Sequence, residues 1–231
     1  MDITKHRGMV FWHHAALATF ALITISLTWS IMSAGFSSSE AVKDVLEKSV
    51  TKSSVAIKVI GKMTGTTQVV ENKVTTTATP LTVTANSAVN LNPESLHVTY
   101  KIIKDSSHII TYDNIYSGAL IGESYNSANE AMKAAKEKGI IKVNPLTDAE
   151  KPDMTTAFFY WVINQDSDEY IRNNEIANLV LVYSDKDRPA TGEYMKIQVF
   201  DREGVILELE RTVPNISSSI LDLGGKVKTK T

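Results

Sequence analysis

The chain has 231 residues, no cysteine and a formal net charge of −2, from 24 basic and 26 acidic residues. The missing cysteines exclude disulfides, thiolate nucleophiles and Cys-ligated zinc, and the charge balance gives no electrostatic case for nucleic acid. Beyond an apolar N-terminal stretch, the length leaves room for one moderate domain with a proper core.

Residues 9–39 contain no Asp, Glu, Lys or Arg, and Lys5, His6 and Arg7 stand just before them. Residues 15–34 match the roughly 20 that a helix needs to cross a bilayer. The basic flank predicts Lys5 and Arg7 on the cytoplasmic side and everything after Glu40 outside. The run is not built like a secretory signal, whose apolar region is shorter and ends in an Ala-x-Ala-like site. The nearest small-residue sequence is Met32-Ser33-Ala34-Gly35. A cut after Gly8 would instead remove the charges and leave the apolar helix on the mature chain, which is how pilin-type precursors are arranged.

The helical pattern continues past the membrane-length run. Val42, Leu46 and Val50 recur at four-residue spacing with Val45 beside them, an amphipathic signature. Lys43 with Glu47, and Asp44 with Lys48, add i,i+4 pairs. The pattern predicts one long helix from about residue 10 to about residue 54, with Ser37, Ser38 and Ser39 as a bend.

The period then changes from helical to two-residue. Val55, Ile57 and Val59 alternate, and Val69, Val74, Thr75, Thr77, Thr79, Leu81 and Val83 crowd the next segment, as strands do. Asn90, Asn92 and Pro93 signal a turn, and residues 96–102 alternate again. Ser127 and Glu130 have capping-box spacing. Residues 131–138 favour helix and Gly139 ends them, so a small surface helix is expected within a β domain. Four more strands are expected at 157–163, 176–183, 194–200 and 205–212. The fold class is therefore α+β: a long hydrophobic N-terminal α-helix followed by an antiparallel, immunoglobulin-like β-sandwich or barrel.

Few residues carry a chemical signal. His13 and His14 are adjacent on the apolar helix and point about 100° apart, too far to share one metal well. They fit a membrane boundary or a helix contact, with Trp12 as interfacial anchor. His97 and His108 stand alone. There is no phosphate loop and no nucleophile–base pair in a plausible local context, so an enzyme is not expected. Asn164, Asp166, Asp168, Tyr170 and Glu175 fall at positions 1, 3, 5, 7 and 12 of a calcium loop, although Glu169 replaces the turn glycine at position 6. Asn164, Asp166, Asp168 and Glu175 are thus candidate Ca2+ ligands, against the alternative of a plain polar turn. Asp185, Asp187 and Glu193 form a second, weaker acidic loop. Asn215-Ile216-Ser217 is an N-glycosylation sequon, with Asn215 as the glycan candidate.

With leader, helix and β domain in order, the chain resembles an archaeal flagellin (archaellin) of the crenarchaeal and thaumarchaeal type over about residues 5–224. Arg7-Gly8-Met9 resembles the processing site of the family's class III signal peptide, and Gly35-Phe36 resembles the exit of its N-terminal helix. Residues 111–118, residues 208–214 and the stretch Leu221-Asp222-Leu223-Gly224 resemble later family segments. The chain departs from the family pattern at His6, Phe11 and His13, where a basic residue, a glycine and an acid are usual.

The resemblance implies three parts: a leader at 1–8, a filament-core helix at 9–58 and an outer β domain at 59–231. It implies processing at Arg7, Gly8 and Met9 by a prepilin peptidase, and core packing through Ala15, Phe20, Ile23, Leu27, Trp29, Ile31 and Gly35. The precursor would sit transiently in the cytoplasmic membrane. An assembly ATPase and a membrane platform would then add it to a helical filament of itself and related archaellins, outside the cell. No cofactor is required in that picture, and Ca2+ and an N-glycan are candidates only. Two other readings share the same anatomy: an adhesive pilin-like filament subunit, and an uncleaved, membrane-anchored stator-like β-sandwich.

Overall fold

The computed structural model describes residues 57–84, 87–104, 108–202 and 204–224. The expected leader and the filament-core helix as far as residue 56, with Arg7 to Gly35, lie outside the described residues, while Ile57 and Lys58, expected at the end of that helix, begin a strand. Among the described residues no helix is long and apolar enough to cross a membrane.

The described residues form thirteen strands and one α-helix, in order: β1 Ile57–Val59, β2 Thr64–Gln68, β3 Lys73–Val83, β4 Val89–Asn90, β5 His97–Ile103, β6 Ile109–Tyr112, β7 Tyr116–Ser124, α1 Ala128–Glu137, β8 Thr156–Ile163, β9 Tyr170–Ile171, β10 Ile176–Val182, β11 Tyr194–Asp201, β12 Gly204–Thr212 and β13 Ile220–Asp222. One sheet has the order β13-β2-β3-β10-β8-β7, and β1 also pairs with β3. A second sheet has the order β12-β11-β5-β6, and β4 with β9 makes a small ribbon.

The second sheet is a one-sided surface. In β5, Val98, Tyr100 and Ile102 are buried while Thr99 and Lys101 alternate outward. In β11, Met195, Ile197 and Val199 point inward and Lys196 points out, toward Glu208 and Glu210 of β12. That is the period-two pattern expected of an antiparallel sheet with one wet face.

The first sheet is covered on both sides. Ala157, Phe159, Trp161, Ala177, Leu179 and Leu181 join the core between the sheets. Their neighbours Phe158, Tyr160, Val180 and Val182 pack on the other face against Ala131, Met132 and Ala135 of α1. This explains why the sequences of β8 and β10 read as near-continuous apolar runs rather than alternations.

The helix is therefore more than a surface insertion. β7 and β8 pair in parallel, whereas every other pairing of these strands is antiparallel. A parallel pair needs a long crossover, which no tight turn supplies. Here α1 provides it, so the expected all-antiparallel sandwich is corrected to one that includes a βαβ unit. The caps fall where the sequence places them. Ser127 Oγ accepts from Glu130 N at 3.2 Å, Glu130 Oε2 accepts from Asn126 N at 3.3 Å, and Gly139 follows with φ +73°.

One proline sits in the central strand. Pro80 of β3 has no N–H to give, and its carbonyl accepts from Ile60 N at 3.1 Å, where β1 ends and before β2 begins. Carbonyl and nitrogen of one strand residue face the same edge, so the missing donor falls in the gap between two partners.

β3 also defines two ends of the sandwich. Ile57 pairs with Val83 at one end, and the β2–β3 turn at Val69–Glu71 caps the other. The 11 residues of β3 separate these ends by about 33 Å.

Candidate assembly surface

After β10 the chain makes a short 3-10 turn over Asp185–Asp187, at the same end as the β2–β3 turn. Asp187 is buried, and among the described residues no cation pairs with its carboxylate. Instead three hydroxyls donate to it: Tyr112, Thr155 at 3.1 Å, and Ser184. Its carbonyl accepts from the Tyr100 hydroxyl at 3.1 Å. A buried carboxylate is tolerable only when its lone pairs are met in this way. Burial, followed by the hydrogen bond to Asp187, pushes the Tyr112 hydroxyl up to about 12.

The flanking residues bind the turn to two other segments. Asp185 meets Lys151 at 2.9 Å and Arg188 at 3.0 Å. The Lys151 hydrogen bond leads in holding the Asp185 carboxyl below its usual range. Arg188 is only 4% exposed and donates to Gln68 Oε1 at 2.8 Å, with Glu71 3.7 Å away. Lys151 also reaches Glu71 at 3.4 Å. Lys104, at the end of the β5–β6 hairpin, donates to the Lys186 carbonyl at 3.3 Å. Gln68 and Glu71, Lys104, and Lys151 with Thr155 are thus fastened to residues 184–188.

This polar platform carries large apolar side chains that are exposed among the described residues. Val70 is 99% exposed, Met154 58%, Ile109 50% and Val69 43%. Val69 and Val70 occupy a 3-10 turn that leads into Asn72, whose φ is +54°. Tight turns ordinarily recruit Gly, Asn, Asp or Ser, so two successive valines there are not explained by the turn. Exposed apolar residues gathered at one end are the usual mark of an interaction surface.

The candidate calcium ligands lie near the opposite end, and the structure gives them other partners. The Glu175 carboxylate is buried and accepts from Gln165 N at 2.9 Å, Asp166 N at 3.4 Å and Arg172 N at 2.8 Å. Asp168 accepts from Tyr170 N at 2.8 Å, the leading cause of its lowered pKa, and meets Arg172 at 2.7 Å. Asp166 meets the same guanidinium at 3.2 Å, and Asn164 Oδ1 accepts from Ser167 N at 2.8 Å. Arg172 thus stands where a calcium ion would be sought. Among the described residues, no group of three or more His, Cys, Asp or Glu side chains is gathered for a metal.

Asn215 is exposed in the coil between β12 and β13. Thr191 anchors its neighbours, donating to the Pro214 carbonyl at 3.3 Å and accepting from Ile216 N at 3.2 Å. His97 is at the start of β5, with Nδ1 2.9 Å from the Leu96 carbonyl. Asp187 carried only a weak acidic signal in the sequence. Its real role depends on Tyr100, Tyr112 and Thr155, which are remote in the chain, so no local motif could have announced it.

The described fold defines a class: a two-sheet β-sandwich domain with one crossover helix. It is similar to archaeal flagellin FlaB1 from Methanocaldococcus jannaschii, with a TM-score of 0.51, 15% identity, and coverage of 73% of this chain and 96% of that one. At that identity the likeness is one of fold. The archaeal flagellum of Methanospirillum hungatei strain JF1 also aligns, with a TM-score of 0.38 and 10% identity over 90% of this chain and 94% of that chain. So does the archaellum periplasmic stator protein FlaG from Sulfolobus acidocaldarius, with a TM-score of 0.30 and 7% identity over 67% of this chain and 96% of that one. No family model matches the chain, and no curated protein does.

Proposed function

We propose that this chain is a structural subunit of an archaeal motility filament, with residues 59–231 as its outer domain and no catalytic role. The observation that carries the reading is a conjunction. A sandwich with the fold of an archaeal flagellin follows, in one chain, an N-terminal segment with no charged side chain over residues 9–39. In this reading a prepilin peptidase cuts between Gly8 and Met9. The freed apolar helix, including Ala15, Phe20, Ile23, Leu27, Trp29, Ile31 and Gly35, leaves the membrane to pack against its counterparts. Lipid is as apolar as those neighbours, so close packing rather than hydrophobic transfer selects the partner. Head-to-tail contacts between copies then build an open helix. An assembly ATPase and a membrane platform drive the addition, and Asn215 is available to carry a glycan outside the cell.

The test is the N-terminal residue of the protein taken from the cells that make it, read by intact and peptide mass spectrometry. A chain starting at Met9 within sheared filaments supports the reading. A chain that keeps residues 1–8 and stays in the membrane overturns it in favour of an anchored protein.

A further inference from the structure

We propose that Tyr112 is a one-electron sink. An oxidising equivalent that reaches the core between the sheets passes along Met195, Tyr183 and Tyr100 and comes to rest on Tyr112, whose proton moves to the Asp187 carboxylate. The relay lies within one folded domain and stands whether or not the chain forms filaments. Its parts touch. The Tyr183 hydroxyl donates to Met195 Sδ at 3.6 Å. The Tyr183 and Tyr100 rings have centroids 5.1 Å apart, and those of Tyr100 and Tyr112 lie 6.2 Å apart and within 8° of parallel. These are the separations of packed rings, close enough for an electron to hop between neighbours. The path also leads outward. Met195, Tyr183 and Tyr100 are buried, whereas Tyr112 lies on the edge strand β6 and is only partly covered.

The hydrogen bonds decide where the charge stops. An oxidised phenol is a strong acid, so it is stabilised most where a base takes its proton as the electron leaves. Tyr100 donates only to a backbone carbonyl, and Tyr183 faces Thr77 Oγ1 and the thioether, none of which is a useful base. Tyr112 alone of the three donates to a carboxylate. Thr155 and Ser184 bond Asp187 Oδ2 while Tyr112 bonds Oδ1, so Oδ1 can receive the proton with the other bonds kept. In the step an oxygen-centred radical of the sulfate or peroxyl class takes one electron. Tyr112–OH and the Asp187 carboxylate become Tyr112–O• and the Asp187 carboxylic acid. A small thiol or ascorbate restores the site by giving Tyr112–O• a hydrogen atom, and Asp187 then releases its proton to water. What the relay protects is sulfur. The chain has seven methionines and no cysteine, and a sulfoxide at buried Met195 would place a polar group in the core.

The test oxidises the full chain in detergent by flash photolysis of a ruthenium tris-bipyridyl complex with persulfate. Frozen samples are read by electron paramagnetic resonance, and digests by mass spectrometry. In the parent, the tyrosyl signal and its stable products should map to Tyr112. They should not map to Tyr125 or Tyr194, which also meet carboxylates, those of Glu123 and Glu210, but stand outside the relay. Tyr112→Phe and Asp187→Asn should each remove that signal and raise modification of Met195, Tyr183 and Tyr100 severalfold, and Tyr125→Phe should do neither. Hydrogen peroxide attacks sulfur only by direct contact. It should oxidise Met195 equally in the parent and in Tyr112→Phe, which tells a lost relay from a loosened core. Products spread over the exposed tyrosines of the parent would overturn the proposal. So would unchanged photo-oxidation of Met195, Tyr183 and Tyr100 in Tyr112→Phe, or peroxide oxidation of Met195 that rises as much as photo-oxidation. If Asp187→Asn does not fold, the parent and Tyr112→Phe decide the matter.

Discussion

Tyr100 and Tyr183 meet across the two sheets, with ring centroids 5.1 Å apart at an angle of 48°. Each is also held at its hydroxyl: Tyr100 donates to the Asp187 carbonyl, and Tyr183 sits 3.0 Å from Thr77 Oγ1. The pair joins core packing to the polar knot at residues 184–188, so the apolar end of the molecule stands on a rigid base.

Asp187 should be the most sensitive polar residue of that base. Asp187→Ala leaves the hydroxyls of Tyr112, Thr155 and Ser184 without their acceptor, the last two of them buried. The expected loss is about 3 kcal/mol or more, whereas Tyr112→Phe removes one donor and costs about 1 kcal/mol. Denaturant unfolding of the full chain in detergent, followed by near-ultraviolet circular dichroism, measures both. Equal losses would mean that the carboxylate does not organise the cluster.

Alkaline pH should loosen the domain at three separate tyrosines, one of them in the Asp187 cluster. Tyr112, Tyr160 and Tyr194 are each pushed up to about 12, in every case first by burial. A tyrosine whose folded pKa exceeds its unfolded value of about 10 keeps its proton longer when folded. The stability this provides is complete below pH 10 and is lost as pH rises toward 12. Phenolate absorbance and unfolding should therefore rise together across that window, and Tyr112→Phe should make the fall shallower. Ionisation of all tyrosines near pH 10 in the folded protein would contradict the burial.

The acidic loop should discriminate between its carboxylates. Glu175→Ala leaves three backbone N–H groups without their acceptor, an expected loss of about 2–3 kcal/mol. Arg172→Ala breaks ion pairs that are open to water on both sides, and such pairs contribute little. Thermal unfolding of the two variants should rank Glu175→Ala well below Arg172→Ala. The reverse order would show that the ion pairs hold the loop.

Gly65 should tolerate even a methyl side chain poorly. A Cβ there would lie 3.1 Å from Leu223 Cδ1, 3.2 Å from Val74 Cγ1 and 3.3 Å from the Thr76 carbonyl. Overpacking of this kind costs about 1–3 kcal/mol, and the strain falls on the β2–β13 pairing. Gly65→Ala should speed amide exchange at Leu221 and Leu223 before it affects β8. Unchanged protection at the C-terminal strand would refute this.

Several elements were legible in the chain because their causes are local. Ser127, Glu130 and Gly139 marked both ends of α1, and the alternation of residues 96–102 marked β5. The parallel strand β7 was missed. Its sequence, Tyr-Ser-Gly-Ala-Leu-Ile-Gly-Glu-Ser, has two glycines at positive φ and few apolar residues. Its place beside β8 is decided by the helix that packs over both strands, and no short-range pattern encodes that. The loop at 164–175 shows the converse. Its spacing matched a calcium loop, but the arginine inside the same stretch supplies the positive charge. The weaker acidic loop at 185–193 holds the knot, because tyrosines far away in sequence reach it.

The way β1 enters the sandwich has a mechanical consequence. Ile57, Lys58 and Val59 lie antiparallel to Val83, Thr82 and Leu81 of β3, and Ile60 N adds a bond to Pro80. A pull along the backbone at Ile57 therefore loads that ladder lengthwise, so its bonds share the strain rather than failing one after another. β3 passes the load sideways to β10 and on to β8. Tension applied at Ile57 would therefore be borne first by the middle strands of the first sheet, while β12 and β6 at the edges of the second sheet would carry little of it.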